Sequence, residues 1–307
     1  MLAWGRCCDA AQLLALLVGM EQEINRIGVV GGGLMGSGIA EVSARNGINV
    51  TILESNAETA EAAQRRIKKS LDRAASTGKI SEPEMDSALS LLSFTSDMSD
   101  LAESQIVIEA IVEDEDAKTT VFSQLDKIVE DENAILASNT SSIPIMKLAM
   151  ATERPSNVIG IHFFNPVPVL DLVEIVTSLH TSPETEAKAN AFSGEQLGKH
   201  VIKSKDRAGF IVNALLIPYV LSAIRMFESG FASKEDIDQG MVTGCAHPMG
   251  PLALADLIGL DTTMAVADSL YAEFREQLYA PPPLLARMVE AGLLGRKAGR
   301  GFYDYSR

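Results

Sequence analysis

His162 and Glu174 are the residues whose types and placing most readily suggest proton transfer. They sit in two short β-type runs, Val158 to Phe164 and Leu172 to Val176, joined by a connector that Pro166 and Pro168 stiffen by fixing φ and withholding amide donors. If the runs return alongside each other, the carboxylate can hold one ring nitrogen and leave the other free to take or return a proton. A core histidine beside an unrelated glutamate fits the isolated pair as well. The remainder of the chain has to decide between them.

A second constellation suits a phosphorylated cofactor. Arg26 to Val30 reads as an apolar strand, followed by Gly31-Gly32-Gly33-Leu34-Met35-Gly36 and a helical run from Ser37 to Arg45. In this strand–loop–helix context Gly31 permits a tight turn, Gly33 lets a pyrophosphate approach the backbone, and Gly36 lets helix and strand pack closely. The helix N-terminus then receives the negative charge. A second strand, Asn49 to Leu53, ends at Glu54, about twenty residues further on, where a carboxylate accepts from a ribose diol and repels a 2′-phosphate. That spacing favours NAD over NADP.

The elements that must position these groups alternate. Ala57 to Thr77 is a helix with Ala60, Ala63, Ile67, Leu71 and Ala74 on one face and Arg65, Arg66, Lys68, Lys69 and Arg73 among the rest; Lys79 follows. The basic cluster is either a solvated face or a seat for a phosphorylated ligand. Helix is expected over Ser81 to Leu89 and strand over Leu91 to Thr95 and Gln105 to Ala110. The charged segment Glu113 to Lys118 opens a helix running to Val129. Ala134 to Ala137 is a strand running into Ser138-Asn139-Thr140-Ser141-Ser142, where the two last serines could cap a helix over Ile143 to Met150 or face a ligand. Helix over Pro183 to Leu197 and strand over His200 to Lys203 complete an α/β, Rossmann-type doubly wound parallel sheet. Beyond Asp206 only helices are expected: Ala208 to Glu228, Lys234 to Met241, Ala253 to Leu257, Asp261 to Arg275 and Pro283 to Glu290. The expected organisation is therefore an extension over residues 1–19, a cofactor domain over 20–205, and an all-α C-terminal domain over 206–307. The apolar residues Ile211, Leu215, Leu216, Ile217, Val220, Leu221 and Ile224 exceed one face of a single helix, which points to a partner subunit.

Composition excludes other classes. With 41 acidic against 26 basic residues the 307-residue chain carries −15, which argues against nucleic acid or anionic membrane as a partner. Cys7, Cys8 and Cys245 form no disulfide framework, as expected of a cytoplasmic protein, and His180, His200 and His247 are too scattered for a metal site. Leu13 to Val18 behind Arg6 faintly imitates a secretory signal but lacks a small-residue cleavage pattern, so Met20 is expected as the natural start.

These motifs together resemble the L-3-hydroxyacyl-CoA dehydrogenase family, in wording and length its bacterial single-function 3-hydroxybutyryl-CoA dehydrogenases. The resemblance runs from Ile24 to Tyr305 and rests on Gly31 to Gly38, Ser138 to Ser142, His162-Phe163-Phe164-Asn165-Pro166, Gly209-Phe210-Ile211-Val212-Asn213, Pro248-Met249-Gly250-Pro251 and Gly299-Arg300-Gly301-Phe302-Tyr303. It implies an NAD-dependent oxidoreductase acting on 3-hydroxyacyl-CoA, working as a homodimer, with His162 as base and Glu174 as its orienting partner. It further implies that Ser141 and Asn213 contact the substrate's reacting oxygen and acyl carbonyl. Gly31, Gly33, Leu34, Met35, Gly36, Glu54, Glu113, Lys118, Ser141 and Lys297 would touch NAD, and Ser70, Lys79 and Ser141 the acyl-CoA. A dehydrogenase of a small hydroxy acid or sugar acid without CoA, or a non-catalytic NAD-binding protein, remains a rival on the same plan.

Overall fold

Strands with no polar side left for water must be covered on both faces, and the chain achieves this by alternating them with helices. The computed structural model describes residues 23 to 306, so the extension expected over residues 1–19 lies outside the described residues. The first half holds β1 (Arg26–Val30), α1 (Leu34–Arg45), β2 (Asn49–Leu53), α2 (Ala57–Ser76), α3 (Glu82–Ser90), β3 (Leu92–Thr95), β4 (Ile106–Glu109), α4 (Glu115–Ile128), β5 (Ile135–Ser138) and α5 (Ile145–Ala149). It is followed by β6 (Val158–Phe163), β7 (Leu172–Thr177), α6 (Pro183–Ala191) and β8 (His200–Lys205), then by α7 (Val212–Glu228), α8 (Lys234–Gly244), α9 (Pro251–Ile258), α10 (Leu260–Phe274) and α11 (Pro283–Glu290).

The eight strands form one sheet in the order β3-β2-β1-β4-β5-β6-β7-β8. From β3 to β6 all neighbours are parallel, as the alternation predicts. The strand β7 runs antiparallel to β6, as the two runs must if they return alongside each other, while β8 lies parallel to β7. The reason is the connector after Phe163, which is too short for the crossover of about a dozen or more residues that a parallel neighbour requires. Ile27, Val29, Ile106, Ile108, Ile159 and Ile161 pack on one face with Ile39 of α1 and Ile67 and Leu71 of α2. Val30, Val107, Leu136 and Val158 pack on the other with Phe122 and Leu125 of α4 and Leu148 of α5. The chain reverses its direction of winding between β1 and β4, and such a switch point opens a crevice at the carboxyl ends of the strands.

Two differences from the sequence pattern have local causes. The helix expected over Pro183 to Leu197 ends as α at Ala191 and continues as a π-turn, Phe192–Gln196, which turns both Phe192 and Ser193 inward. The helix expected from Ala208 begins only at Val212, because Gly209 and Phe210 take left-handed conformations, φ +74° and +49°. Just before them Asp206 accepts from the amides of Ile145 and Met146 at 2.8 and 2.7 Å, tying the linker to the start of α5. The helical part has its own core, in which Ile217, Leu221 and Ile224 of α7 meet Leu252, Leu260, Leu270 and Leu285. Its C-terminal tail is held by the buried Asp256, which accepts from the amides of Phe302 and Tyr303, both at 2.9 Å, and from the Tyr305 hydroxyl at 3.1 Å.

The glycine turn after β1 is the tightest point of the sheet edge. Gly31 has φ +93° and donates to the Leu53 carbonyl at 2.9 Å, and a Cβ on Gly36 would lie 1.8 Å from the Gly31 carbonyl oxygen. Gly36→Ala must therefore push α1 off the sheet; overpacking of this kind costs ~1–3 kcal/mol, and NADH affinity should fall at least about tenfold with it. Fluorescence titration and thermal melts check both, and unchanged NADH binding would show that the turn is not the cofactor's seat.

Candidate active site

The antiparallel pairing of β6 and β7 places His162 directly opposite Glu174. Residues so paired point to the same face, and here the imidazole Nδ1 lies 2.7 Å from Glu174 Oε2 with both side chains buried. A carboxylate can only accept, so Nδ1 carries the ring proton and Nε2 keeps its lone pair. The Ser141 hydroxyl meets Nε2 at 3.0 Å. The rings of Phe164 and Phe210 flank the imidazole at centroid distances of 4.6 and 5.4 Å. The second oxygen of Glu174 is also committed: Oε1 accepts from the amides of Ile211 and Val212 at 3.1 and 3.0 Å, where α7 begins. A negative charge at a helix N-terminus satisfies amides that the helix leaves unpaired.

Ser141 is presented by a turn held from two sides. The Glu113 carboxylate accepts from the Ser141 and Ser142 amides at 3.0 and 3.1 Å, from the Ser142 hydroxyl at 2.8 Å, and from the Thr140 hydroxyl. Lys118 lies 3.1 Å from Glu113 and 2.6 Å from Glu109. The helix-capping alternative for the two serines is answered by other residues: Thr140 Oγ1 takes the Ile143 amide at 2.9 Å and Asp206 takes those of Ile145 and Met146. Ser141 is left to face His162.

From this turn a groove leads to the glycines. A cavity of 830 Å³ is lined by Gly31, Gly33, Leu34, Met35, Glu54 and Val112 among others, and one of 470 Å³ by Glu113, Lys118, Asn139, Ser141, Ser142 and Asp261 among others. Met35, Ala110 and Ile111 line both, so the two compartments adjoin. The first fits a dinucleotide on its own geometry. The N-terminus of α1 has no side-chain cap, and a Cβ built on Gly33 meets nothing within 4 Å, so the first-turn amides face open space. Glu54 closes the far side, with Oε1 accepting from the Gly32 amide at 2.6 Å. Arg66 of α2 donates to the Gly32 carbonyl at 2.5 Å, so the turn is gripped on both sides.

The other residues singled out in the sequence are spread more widely. Lys297 pairs at 2.6 Å with Asp261, which lines the second cavity. Asn213 lies in the first turn of α7, beside the Val212 amide that Glu174 accepts. Ser70 of α2 is half-buried against Glu41, whose carboxyl burial pushes up while Ser70 and Arg45 pull it down, and Lys79 is exposed beyond the end of α2. Neither Ser70 nor Lys79 lines the two cavities. Sequence reasoning passed over three residues that matter to the geometry: Glu109, Asn139, which accepts the Phe163 amide at 2.9 Å, and Asp261. Only Glu109 left a signal, a carboxylate closing an otherwise apolar strand.

Comparison with known proteins agrees along the whole described chain. The family model for the 3-hydroxyacyl-CoA dehydrogenase NAD binding domain matches residues 26–207, and that for the 3-hydroxyacyl-CoA dehydrogenase C-terminal domain matches 209–305. The chain is 58% identical over 286 residues to a 3-hydroxybutyryl-CoA dehydrogenase of Mycobacterium tuberculosis, covering 93% of this chain and 100% of that one. The crystal structure of M. tuberculosis FadB2 superposes with a TM-score of 0.92 at 58% identity, over 92% of this chain and 100% of that one. The (S)-3-hydroxybutyryl-CoA dehydrogenase PaaH1 of Ralstonia eutropha does so with a TM-score of 0.88 at 46% identity, over 93% and 100%.

Two outcomes follow from the hydrogen bonds. Glu174→Gln puts an amide where both the imidazole and α7 need an acceptor, so turnover should fall on the order of 10²–10⁴ and the urea midpoint should drop in the same variant; lost turnover with an unmoved midpoint would separate α7 from Glu174. Burial alone would raise Glu113, but the Lys118 ammonium and the Thr140 and Ser142 hydroxyls together hold its carboxyl below the usual carboxylate range. A depressed folded value gives stability that is complete above the unfolded Glu value, roughly 4.3, and that is lost as pH falls through the lower folded value. Urea midpoints taken between about pH 5 and pH 3 should therefore fall more shallowly for Glu113→Gln than for the unsubstituted protein; equal acid-side slopes would remove Glu113 from the account.

Proposed function

The chain belongs to the 3-hydroxyacyl-CoA dehydrogenase family, and from that premise we propose that it interconverts (3S)-3-hydroxyacyl-CoA, in particular 3-hydroxybutyryl-CoA, and 3-oxoacyl-CoA with NAD(H). The observation that carries the reading is the imidazole seated between Glu174 and Ser141, the serine itself lining the cavity that adjoins the one at the glycine turn.

In the oxidising direction His162 Nε2 removes the proton of the 3-hydroxyl, while the Ser141 hydroxyl holds the same oxygen. Glu174 fixes the ring's tautomer and stabilises the imidazolium as it forms, and in the reverse direction His162 returns the proton to the 3-oxo group. The α1 N-terminus and Glu54, which line the adjoining cavity, would hold NAD, and when bound NAD would supply the acceptor for the hydride on C3. Glu113 and Lys118, which line the second cavity, and Lys297, paired with Asp261 of that lining, are assigned to the cofactor as well, and Asn213 to the acyl carbonyl. Ser70, Lys79 and the basic residues of α2 are assigned to the phosphates of the CoA arm, for which this acidic chain needs a local positive patch.

Assembly as a homodimer through the helical domain accounts for the apolar side chains left exposed there. Leu215 is 73% and Phe231 79% exposed, and a further cavity of 330 Å³ is lined by Tyr219, Met226, Ile237 and Met241. Residues 20–205 would then serve the cofactor, and residues 206–307 the acyl group and the partner subunit. A cytoplasmic place in fatty-acid or butanoate metabolism fits the substrate class, and no helix among the described residues is long and apolar enough to cross a membrane.

The test is NADH and NADPH oxidation with 3-oxoacyl-CoA substrates of increasing length, free CoA serving as competitor. Turnover is expected with acetoacetyl-CoA and NADH, with NADPH poorer because Glu54 repels a 2′-phosphate. His162→Gln should lower kcat on the order of 10²–10⁴ with NADH affinity nearly intact. Near-normal turnover in that variant would take His162 out of the mechanism, and indifference to free CoA would favour a non-CoA substrate.

A further inference from the structure

Glu109 has no part in the proton transfer above, yet it is fully buried at the carboxyl end of β4 with both oxygens engaged. Oε1 accepts from Lys118 Nζ at 2.6 Å and from the Ile111 amide at 2.7 Å, and Oε2 accepts from the Ser138 hydroxyl at 2.6 Å. Each partner leads to a different part of the site. Ile111 lies on the ridge shared by the two cavities. Ser138, opposite Glu109 in the β4–β5 register, accepts the Thr140 amide at 3.1 Å. Lys118 is divided between Glu109 and Glu113, and Glu113 holds the Ser141 and Ser142 amides.

A buried carboxylate that shares its only ammonium with a second carboxylate is costly to desolvate, so it persists where both oxygens gain several charge-assisted hydrogen bonds. Here those bonds converge on the residues beside His162. We propose that Glu109 is a positioning residue for this reaction, which acts through Lys118 and Ser138 to set the Ser141 hydroxyl against the His162 imidazole. The proposal rests on the dehydrogenase reading for its kinetic consequences but not for its geometry. Without the Glu109 charge, Lys118 turns wholly to Glu113, Glu113 loosens its hold on the Ser141 and Ser142 amides, and Ser141 loses its distance to Nε2.

The test uses Glu109→Gln, Ser138→Ala, Lys118→Met and the double variant Glu109→Gln/Lys118→Met in the full chain. Each is measured for acetoacetyl-CoA reduction, thermal midpoint and the ¹⁵N shifts of the His162 ring, assigned by their loss in His162→Gln. Glu109→Gln should lower kcat about 10- to 100-fold with a melting midpoint within a few degrees, Ser138→Ala about 3- to 10-fold, and both should move the His162 Nε2 shift. The double variant should be no worse than Lys118→Met, because the two residues act in one chain. A Glu109→Gln kcat within about threefold of the unsubstituted protein, an unmoved imidazole shift, or a double-variant loss equal to the product of the single losses would each overturn the proposal. So would a Glu109→Gln protein that fails to fold while Ser138→Ala keeps full turnover. Inactivity of the unsubstituted protein toward acetoacetyl-CoA would instead sink the functional reading, and the ring shifts alone would then judge Glu109.

Discussion

One carboxylate faces two ways. Glu174 gives one oxygen to the His162 imidazole and the other to the first amides of α7, so a single buried group orients the base and fastens the helical domain to the sheet. Leaving a buried donor without its acceptor costs ~1–3 kcal/mol, against ~1 kcal/mol for an ordinary helix cap. The larger figure governs here because the imidazole N–H and the Ile211 and Val212 amides lose their acceptors at once. The placement of the second domain and the tautomer of the base are thus set by the same bonds. The left-handed turn at Gly209 and Phe210 exists to aim those amides, and the Phe210 ring it swings inward closes one side of the imidazole.

The sheet supplies the frame for that carboxylate. Its six parallel strands bring the glycine turn, Glu109 and the Ser138–Ser142 turn to one edge. The one antiparallel junction brings His162 and Glu174 to the same edge from opposite directions. A fully parallel sheet would have put the start of β7 at the far end, and Glu174 with it.

Much of this was legible in the chain. The glycine turn could be read because Gly31 and Gly36 answer steric demands that no other residue meets, a φ of +93° at the first and the 1.8 Å approach at the second. His162 and Glu174 could be paired because two short strands around a proline connector leave few alternatives to a hairpin. Strand and helix positions followed from periodicity to within a few residues. What escaped was tertiary. Nothing local says that Thr140 rather than Ser141 meets the Ile143 amide, or that Asn139 must take the Phe163 amide from a neighbouring strand. Asp261 is an ordinary first-turn acid of α10 until the fold brings it beside Ser141 and Lys297. The left-handed residues that delay α7 were likewise invisible, since Phe210 gives no hint of a positive φ.

The β6–β7 hairpin has an entropic side. His162 and Glu174 are 12 residues apart in the chain, and closing so short a loop loses little chain entropy. Lys199 ties the connector between them by donating to the Val167 and Leu170 carbonyls, both at 2.8 Å. The pair is therefore a low-contact-order element, while Ser141 and the α7 amides are drawn from 21 and 37 residues away. The base and its orienting partner thus need only neighbouring chain, while the oxygen-holding hydroxyl and the docked helical domain are brought to the histidine across longer stretches of sequence.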